Sequence, residues 1–286
     1  MKRAILILCT LVVAAAERHP VSAVVLRVDR AHRTFEASCQ EIPGYMRAMV
    51  MAFAVRGEKD LDGLVPGSDI DFTLVVDKGN SHAEDIRIHR YEPIEQEPLR
   101  ARRLQLLQEA GDSSLAANTL QVGQLAPDFT LTDQTGARIA FSQFAGKVVG
   151  LTFIYTSCPL PDYCVRLSNN FGRISKRFTN RMGRDLILLT VTFDPAHDDP
   201  KVMAQYAARW KADPSSWHFL TGSVPEVQAV CRLFGINYWQ EEGWLTHSLH
   251  TIVIDRQGKL AANFEGNEFT AEQLGDFISV EMAARR

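Results

Sequence analysis

At about Leu120 the hydrophobic pattern of this chain changes period, and that change limits the architectures open to it. Residues 24–91 carry short alternating runs at 24–29, 34–38, 50–55, 70–76 and 83–89. Turn sequences separate them: Ile42-Pro-Gly44, Val65-Pro-Gly67 and Asp77-Lys-Gly-Asn80. Five short strands at this spacing predict a small all-β barrel or sandwich. Beyond Leu120, longer apolar runs at 148–155, 185–193 and 249–255 alternate with helical segments at 166–178, 200–212 and 224–234. Strands alternating with helices predict an α/β sheet covered on its faces. Residues 92–118 between the two regions are polar and weakly helical, with Leu99, Leu104 and Leu107 as packing positions, and read as an interdomain bridge. At 286 residues the chain has room for two such domains, and its net charge of −3 gives no reason to expect a nucleic-acid partner.

The first residues, Met1-Lys-Arg followed by an apolar stretch over 4–16 and then small residues, have the order of a secretory signal. Thirteen apolar residues are too few for a stable membrane span. Cleavage can follow Ala16 or Ala23. With the second cut the chain divides into a signal over 1–23, a barrel over 24–91, the bridge over 92–118 and the α/β domain over 119–286. The protein is therefore expected to be exported to the periplasm, and membrane-associated where the signal stays uncleaved. Of five cysteines, Cys9 lies inside the apolar signal, leaving Cys39, Cys158, Cys164 and Cys231 in the exported chain. Four cysteines over this length are no disulfide framework, so some have another purpose.

The strongest candidate is Tyr155-Thr-Ser-Cys158-Pro-Leu-Pro-Asp-Tyr-Cys164, which joins a predicted strand to a predicted helix. A helix N-terminus favours thiolate over thiol, the form that binds metals or attacks disulfides. Two cysteines in one such loop can close a reversible disulfide, share a metal or simply pack. The second piece is Gly243-Trp-Leu-Thr-His247-Ser-Leu-His250, ahead of a buried-looking strand. Alone, a histidine there is a polar cap. Combined with two thiolates it completes a three-coordinate soft site that suits Cu(I) and accepts Cu(II), whereas structural zinc wants a fourth ligand. Cys231, at helical spacing within 227–234, reads as a core cysteine, and His197 as a solvated loop residue.

The region from about Leu120 resembles the SCO/SenC family. The matching stretches are Ala126-Pro-Asp-Phe-Thr-Leu, the Cys158/Cys164 loop, Phe193-Asp194-Pro-Ala-His-Asp198-Asp-Pro200, Trp217-His-Phe-Leu-Thr-Gly222, and His247-Ser248 ahead of Ile254-Asp255-Arg-Gln-Gly258. The resemblance implies a thioredoxin-like fold, with Cys158, Cys164 and His247 as copper ligands and structural roles for Asp194 and Asp198. The implied task is carrying copper to the binuclear centre of cytochrome c oxidase. One departure stands out: the family spaces its cysteines four apart, this chain six.

A second unusual feature is Ile42-Pro-Gly-Tyr-Met46-Arg-Ala-Met49-Val-Met51, which holds three of the chain's seven methionines. On a strand, Met49 and Met51 face the same side. They either fill a barrel core or offer thioether ligands to Cu(I). Residues 24–91 resemble the CusF-like copper-binding domain, a five-stranded OB-type barrel whose Met-x-Met matches Met49 and Met51. Met46 stands where that family has a tryptophan, and Cys39 where it has a histidine.

Together the two resemblances imply an exported copper-binding protein with a Cys/Cys/His site and an auxiliary Cu(I) site at Cys39, Met46, Met49 and Met51. The implied partners are the copper-bearing oxidase subunit, other copper chaperones and a thiol-reducing protein of the thioredoxin type, since a closed Cys158–Cys164 disulfide cannot take up metal. The alternative is a thiol–disulfide oxidoreductase, with Cys158 and Cys164 as a redox-active catalytic pair, that reduces the oxidase subunit's copper-site cysteines. A peroxidase-like reading of Thr156-Ser-Cys158 leaves the histidine without a role.

Overall fold

The computed structural model describes residues 16–77, 79–89, 119–236, 238–241 and 244–284. Residues 1–15 of the signal expected over 1–23, and the bridge with Leu99, Leu104 and Leu107, lie outside the described residues.

The first region forms a five-stranded antiparallel sheet in the order β3-β2-β1-β4-β5. Its strands are β1 (Glu17–Asp29), β2 (Thr34–Cys39), β3 (Met49–Ala54), β4 (Asp69–Asp77) and β5 (Asn80–His89). A parallel bridge between Val55 and Ala83 brings β3 back to β5 and curls the sheet into an OB-type barrel. β1 serves two neighbours: residues 17–24 pair with β4 and residues 23–29 with β2. It starts at Glu17, seven residues ahead of the barrel start expected at 24, because Val21 and Ala23 continue the inward alternation and are buried. Inside, Phe35, Phe53 and Phe72 meet pairwise at ring separations of 5.4, 5.5 and 4.8 Å. Edge-on and offset contacts of this kind add to burial.

The second region has a five-stranded mixed sheet in the order β10-β9-β8-β13-β14. Its strands are β8 (Val148–Ile154), β9 (Leu186–Thr192), β10 (Trp217–Leu220), β13 (His250–Ile254) and β14 (Leu260–Glu265). Every residue of β8 and β9 is buried, as parallel strands covered on both faces require. Helices α1 (Arg166–Arg177), α2 (Pro200–Ala208), α3 (Val224–Leu233) and α4 (Ala271–Ala283) cover the sheet. Two short hairpins complete the domain, β6 (Thr130–Thr132) with β7 (Arg138–Ala140), and β11 (Tyr238–Glu241) with β12 (Trp244–His247). The result is a thioredoxin-like α/β domain behind a small barrel.

The two domains share a buried seam. Alternation puts Val24, Leu26, Ser38 and Val50 on the barrel's outer face, where the three apolar ones join the core of the second domain. Ser38 Oγ donates to Asp276 at 2.7 Å and Gln273 Nε2 donates to Ser38 O at 3.1 Å, both from α4. Gly67, at φ +90°, lies against the backbone of Asn263 on β14; a Cβ there would stand 3.0 Å from that of Ala262. Only glycine fits both the angle and the approach.

Candidate metal centre

β8 runs through the middle of the sheet and delivers Tyr155 and then the cysteine loop at its C-terminal end, where α/β proteins place their chemistry. The loop is anchored by Asp198, which is 1% exposed. Thr156 donates to it through its amide at 3.1 Å and through its hydroxyl, and Thr192 Oγ1 donates at 2.5 Å. Burial raises the Asp198 pKa despite these donors. His197, beside it, is exposed and paired with Asp194 at 2.9 Å, a solvated loop residue as read from sequence.

Six-residue spacing gives the loop a shape of its own. Pro161–Val165 form a wide π-type turn with Tyr163 outside the helical region at φ −108°, ψ −106°. This turn runs directly into α1 and carries Cys164 into the interior, fully buried, while Cys158 remains partly exposed. The longer loop leaves both cysteines as free thiols, close enough to interact electrostatically.

His247 arrives from the other side. The sequence places it just ahead of a strand; in the structure it is the last residue of β12, paired with Tyr238. Its ring is packed 4.4 Å from Phe193 and edge-on to Tyr155 at 5.9 Å. Nδ1 donates to Ser248 O at 2.9 Å, which makes Nε2 the lone-pair nitrogen. Nε2 lies 3.8 Å from Cys164 Sγ. Bonds of about 2.3 Å to sulfur and 2.0 Å to nitrogen, opening at ~120° around a shared ion, hold the two donors roughly 3.7 Å apart. The observed separation matches a shared soft ion. Among the described residues no three His, Cys, Asp or Glu side chains form a finished metal cage. Cys158 Sγ is turned to Leu160 O at 3.7 Å and has to swing inward to complete one.

The two thiols are electrostatically unequal. A hydrogen bond from Cys164, helped by His247 and the Leu160 backbone, outweighs burial and pulls the Cys158 pKa down to about 4. Burial pushes Cys164 well above the ordinary thiol value. The pair is thus a surface thiolate held by a buried thiol. Tyr155 was not among the residues singled out by sequence, yet it lies beside the pair, and burial together with the two cysteines raises its pKa.

In the barrel, Cys39 and Met49 are direct partners across β2 and β3, with Met51 opposite Ala37 on the same face. Met46 is antiparallel-bridged to Ile42 and packs, with Met51, against the barrel core. Met49 is 47% exposed, which is not the position of a core filler. Cys39 is buried beneath it, and burial alone lifts its pKa to about 12. The structure therefore gathers one thiol and two thioethers on one face, with Met46 at the rim. Cys231 is a buried core thiol, also pushed to about 12.

The mixed sheet, with a cysteine-bearing loop at the end of its central strand, gives the second domain the thioredoxin-like fold. The chain belongs to the SCO1/SenC family, whose model matches residues 117–281. Residues 18–88 match the model for the copper binding periplasmic protein CusF. Among curated relatives, protein sco1 of Schizosaccharomyces pombe is 27% identical over 189 residues, covering 63% of this chain and 69% of its own length. The SCO2-like protein of Rickettsia typhi is 26% identical over 179 residues, 60% of this chain and 83% of its own. Among solved structures, a SCO1/SenC family lipoprotein from Bacillus anthracis superposes with a TM-score of 0.50 at 21% identity, over 57% of this chain and 98% of that one. No described helix is long and apolar enough to cross a membrane.

Proposed function

We propose that this protein is an exported copper carrier that delivers copper for assembly of the binuclear centre of cytochrome c oxidase. The observation that carries the reading is the 3.8 Å approach of His247 Nε2 to Cys164 Sγ beside the Cys158 thiolate. Cys158, Cys164 and His247 are the ligands of the second domain, and Cys39, Met49 and Met51, with Met46 at the rim, form an auxiliary Cu(I) site in the barrel. Copper is cargo here: ligand exchange passes it to the cysteines of the receiving oxidase subunit, and Cys158, the more accessible thiolate, is the first donor to exchange. Other copper chaperones load the chain, and a thioredoxin-type protein keeps the pair reduced. Periplasmic export follows a cut after Ala16, which leaves β1 whole; a cut after Ala23 removes residues 17–23 of that strand.

The test is Cu(I) titration of the reduced chain against a competing chelator. His247→Ala should weaken one equivalent at least tenfold and leave the other unchanged; two unchanged equivalents reject the second-domain ligand set.

A second reading is favoured by the inequality of the thiols. A partly exposed thiolate ahead of a buried thiol is the order of attacking and resolving cysteines. Cys158 S⁻ attacks one sulfur of a partner's disulfide and releases the other as thiolate. Cys164 then displaces the mixed disulfide, leaving the partner as dithiol and this chain with a Cys158–Cys164 bond. If His247→Ala keeps disulfide-reductase turnover while copper affinity is unaffected, this reading replaces the first.

A further inference from the structure

We infer that Asn267 is a positioning residue for the Cys158/Cys164/His247 site, acting as a clamp that holds the long cysteine loop in register with the histidine. The inference rests on the copper reading above and extends it to a residue outside the ligand set.

The turn 266–268 between β14 and α4 reaches three segments of the site. Gly266 N donates at 2.9 Å to Leu249 O, two residues beyond His247. The Asn267 amide nitrogen donates to Asp162 O, two residues before Cys164. Glu268 O accepts from Arg166, the first residue of α1, at 3.4 Å. One short turn thus ties the histidine segment to both ends of the cysteine-bearing turn.

The need for such a tie follows from the spacing of the cysteines. In a regular helix the amide of Arg166 would bond the carbonyl four residues back, that of Asp162. In the wide turn it bonds Pro161 O and Tyr163 O instead, passing over Asp162 O. Asn267 supplies a donor for that carbonyl from outside the turn. Its side chain is 2% exposed, and its Oδ1 is buried without a hydrogen-bond partner among the described residues. Simple space-filling would be met by an apolar side chain with no stranded acceptor. The amide at this position serves as a donor to Asp162 O.

Asn267→Leu, which keeps the bulk and removes the donor, is the direct test, with Asn267→Ala as a second variant. Direct hydrogen-bond partners of metal ligands are typically worth about 10–100-fold in affinity, and Asn267, which acts through the Asp162 backbone, belongs at the lower end of that range. Asn267→Leu is therefore expected to weaken Cu(I) binding in the second domain about tenfold, to leave the barrel equivalent unchanged and to alter the Cu(II)–thiolate absorption band. A copper-free readout accompanies it: with the loop released, the Cys158–Cys164 disulfide should be reduced by glutathione several-fold more readily, because the thiols lose effective concentration for each other. Copper affinity, absorption band and glutathione equilibrium all within twofold of wild type would overturn the inference. Loss of folding in both variants would assign Asn267 to the fold and overturn it equally. Cys164→Ser separates this result from failure of the copper reading. If that variant keeps full copper binding, the copper reading fails, and the glutathione equilibrium alone then decides the role of Asn267.

Discussion

Cys158 and Cys164 are chemically the same residue placed in opposite surroundings. Cys158 is partly exposed with its pKa drawn down to about 4 by the Cys164 hydrogen bond, while Cys164 is buried and raised. Reaction with iodoacetamide follows thiolate fraction and access. At pH 6 the reduced, metal-free protein should be alkylated first at Cys158, with Cys39, Cys164 and Cys231 protected until it unfolds. Peptide mapping checks the order, and labelling of Cys39 at a rate near that of Cys158 would refute the assignment. The cysteine identities and the soft-donor logic were readable from the sequence. Their inequality was not, because it depends on which thiol the wide turn carries inside. Asn267 was equally invisible: no spacing or composition marks an asparagine whose partner lies 105 residues away.

Among the elements, the β2–β3 pair shows how alternation divides labour. Cys39, Met49 and Met51 line one face, and Ser38 and Val50 on the other meet the second domain. Met49→Ile with Met51→Ile should remove one Cu(I) equivalent with little change in melting temperature; unchanged stoichiometry would make these methionines packing residues. At the other site, the end of β8 is fixed by Asp198 through Thr156 and Thr192. Asp198→Ala removes the acceptor of the buried Thr192 hydroxyl and of the half-buried Thr156 hydroxyl and should cost about 2–3 kcal/mol in urea unfolding; a loss below about 0.5 kcal/mol would show that the anchor is dispensable. The long strands and the helices α1 to α3 were legible from their periods. The hairpins β6–β7 and β11–β12 were not, since three or four residues establish no period. His247 does stand just ahead of the buried strand β13, as its sequence position indicates, and the short strand β12 that it ends is the part the sequence does not reveal. The helix α4 was missed although Thr270 and Gln273 form its capping box.

At the scale of the whole molecule the barrel is seated on α4 and β14 through a seam that contains charge. Asp69 starts β4 beside His89 and Asp71, with Glu268 of the second domain facing it. Burial first, then Asp71 and Glu268, raise its pKa to about 6, while His89 and the Ile70 backbone oppose the rise. A carboxyl with a raised folded pKa holds its proton more tightly when folded, so its effect favours folding below about pH 4 and is lost as pH rises through about 6. The difference is at most about 3 kcal/mol. Asp69→Asn should therefore stabilise the protein at pH 7 and make no difference at pH 4, measured by urea unfolding. A gain of the same size at both pH values would contradict the burial argument. The two-domain division was legible from the switch of period near Leu120, but the seam was not, because it is made by outward residues such as Ser38 that look like ordinary surface. The early start of β1 has the same origin: residues 17–23 read as the tail of a signal until Val21 and Ala23 are seen in the core.

The most direct measurement is Cu(I) titration of the fully reduced chain, wild type and Cys164→Ser, against a competing chelator of known affinity. Two copper sites on one chain predict close to two equivalents for the wild type and one for Cys164→Ser, the remaining one being lost with Met49→Ile and Met51→Ile. A single equivalent in the wild type that survives Cys164→Ser would contradict a copper site at Cys158, Cys164 and His247.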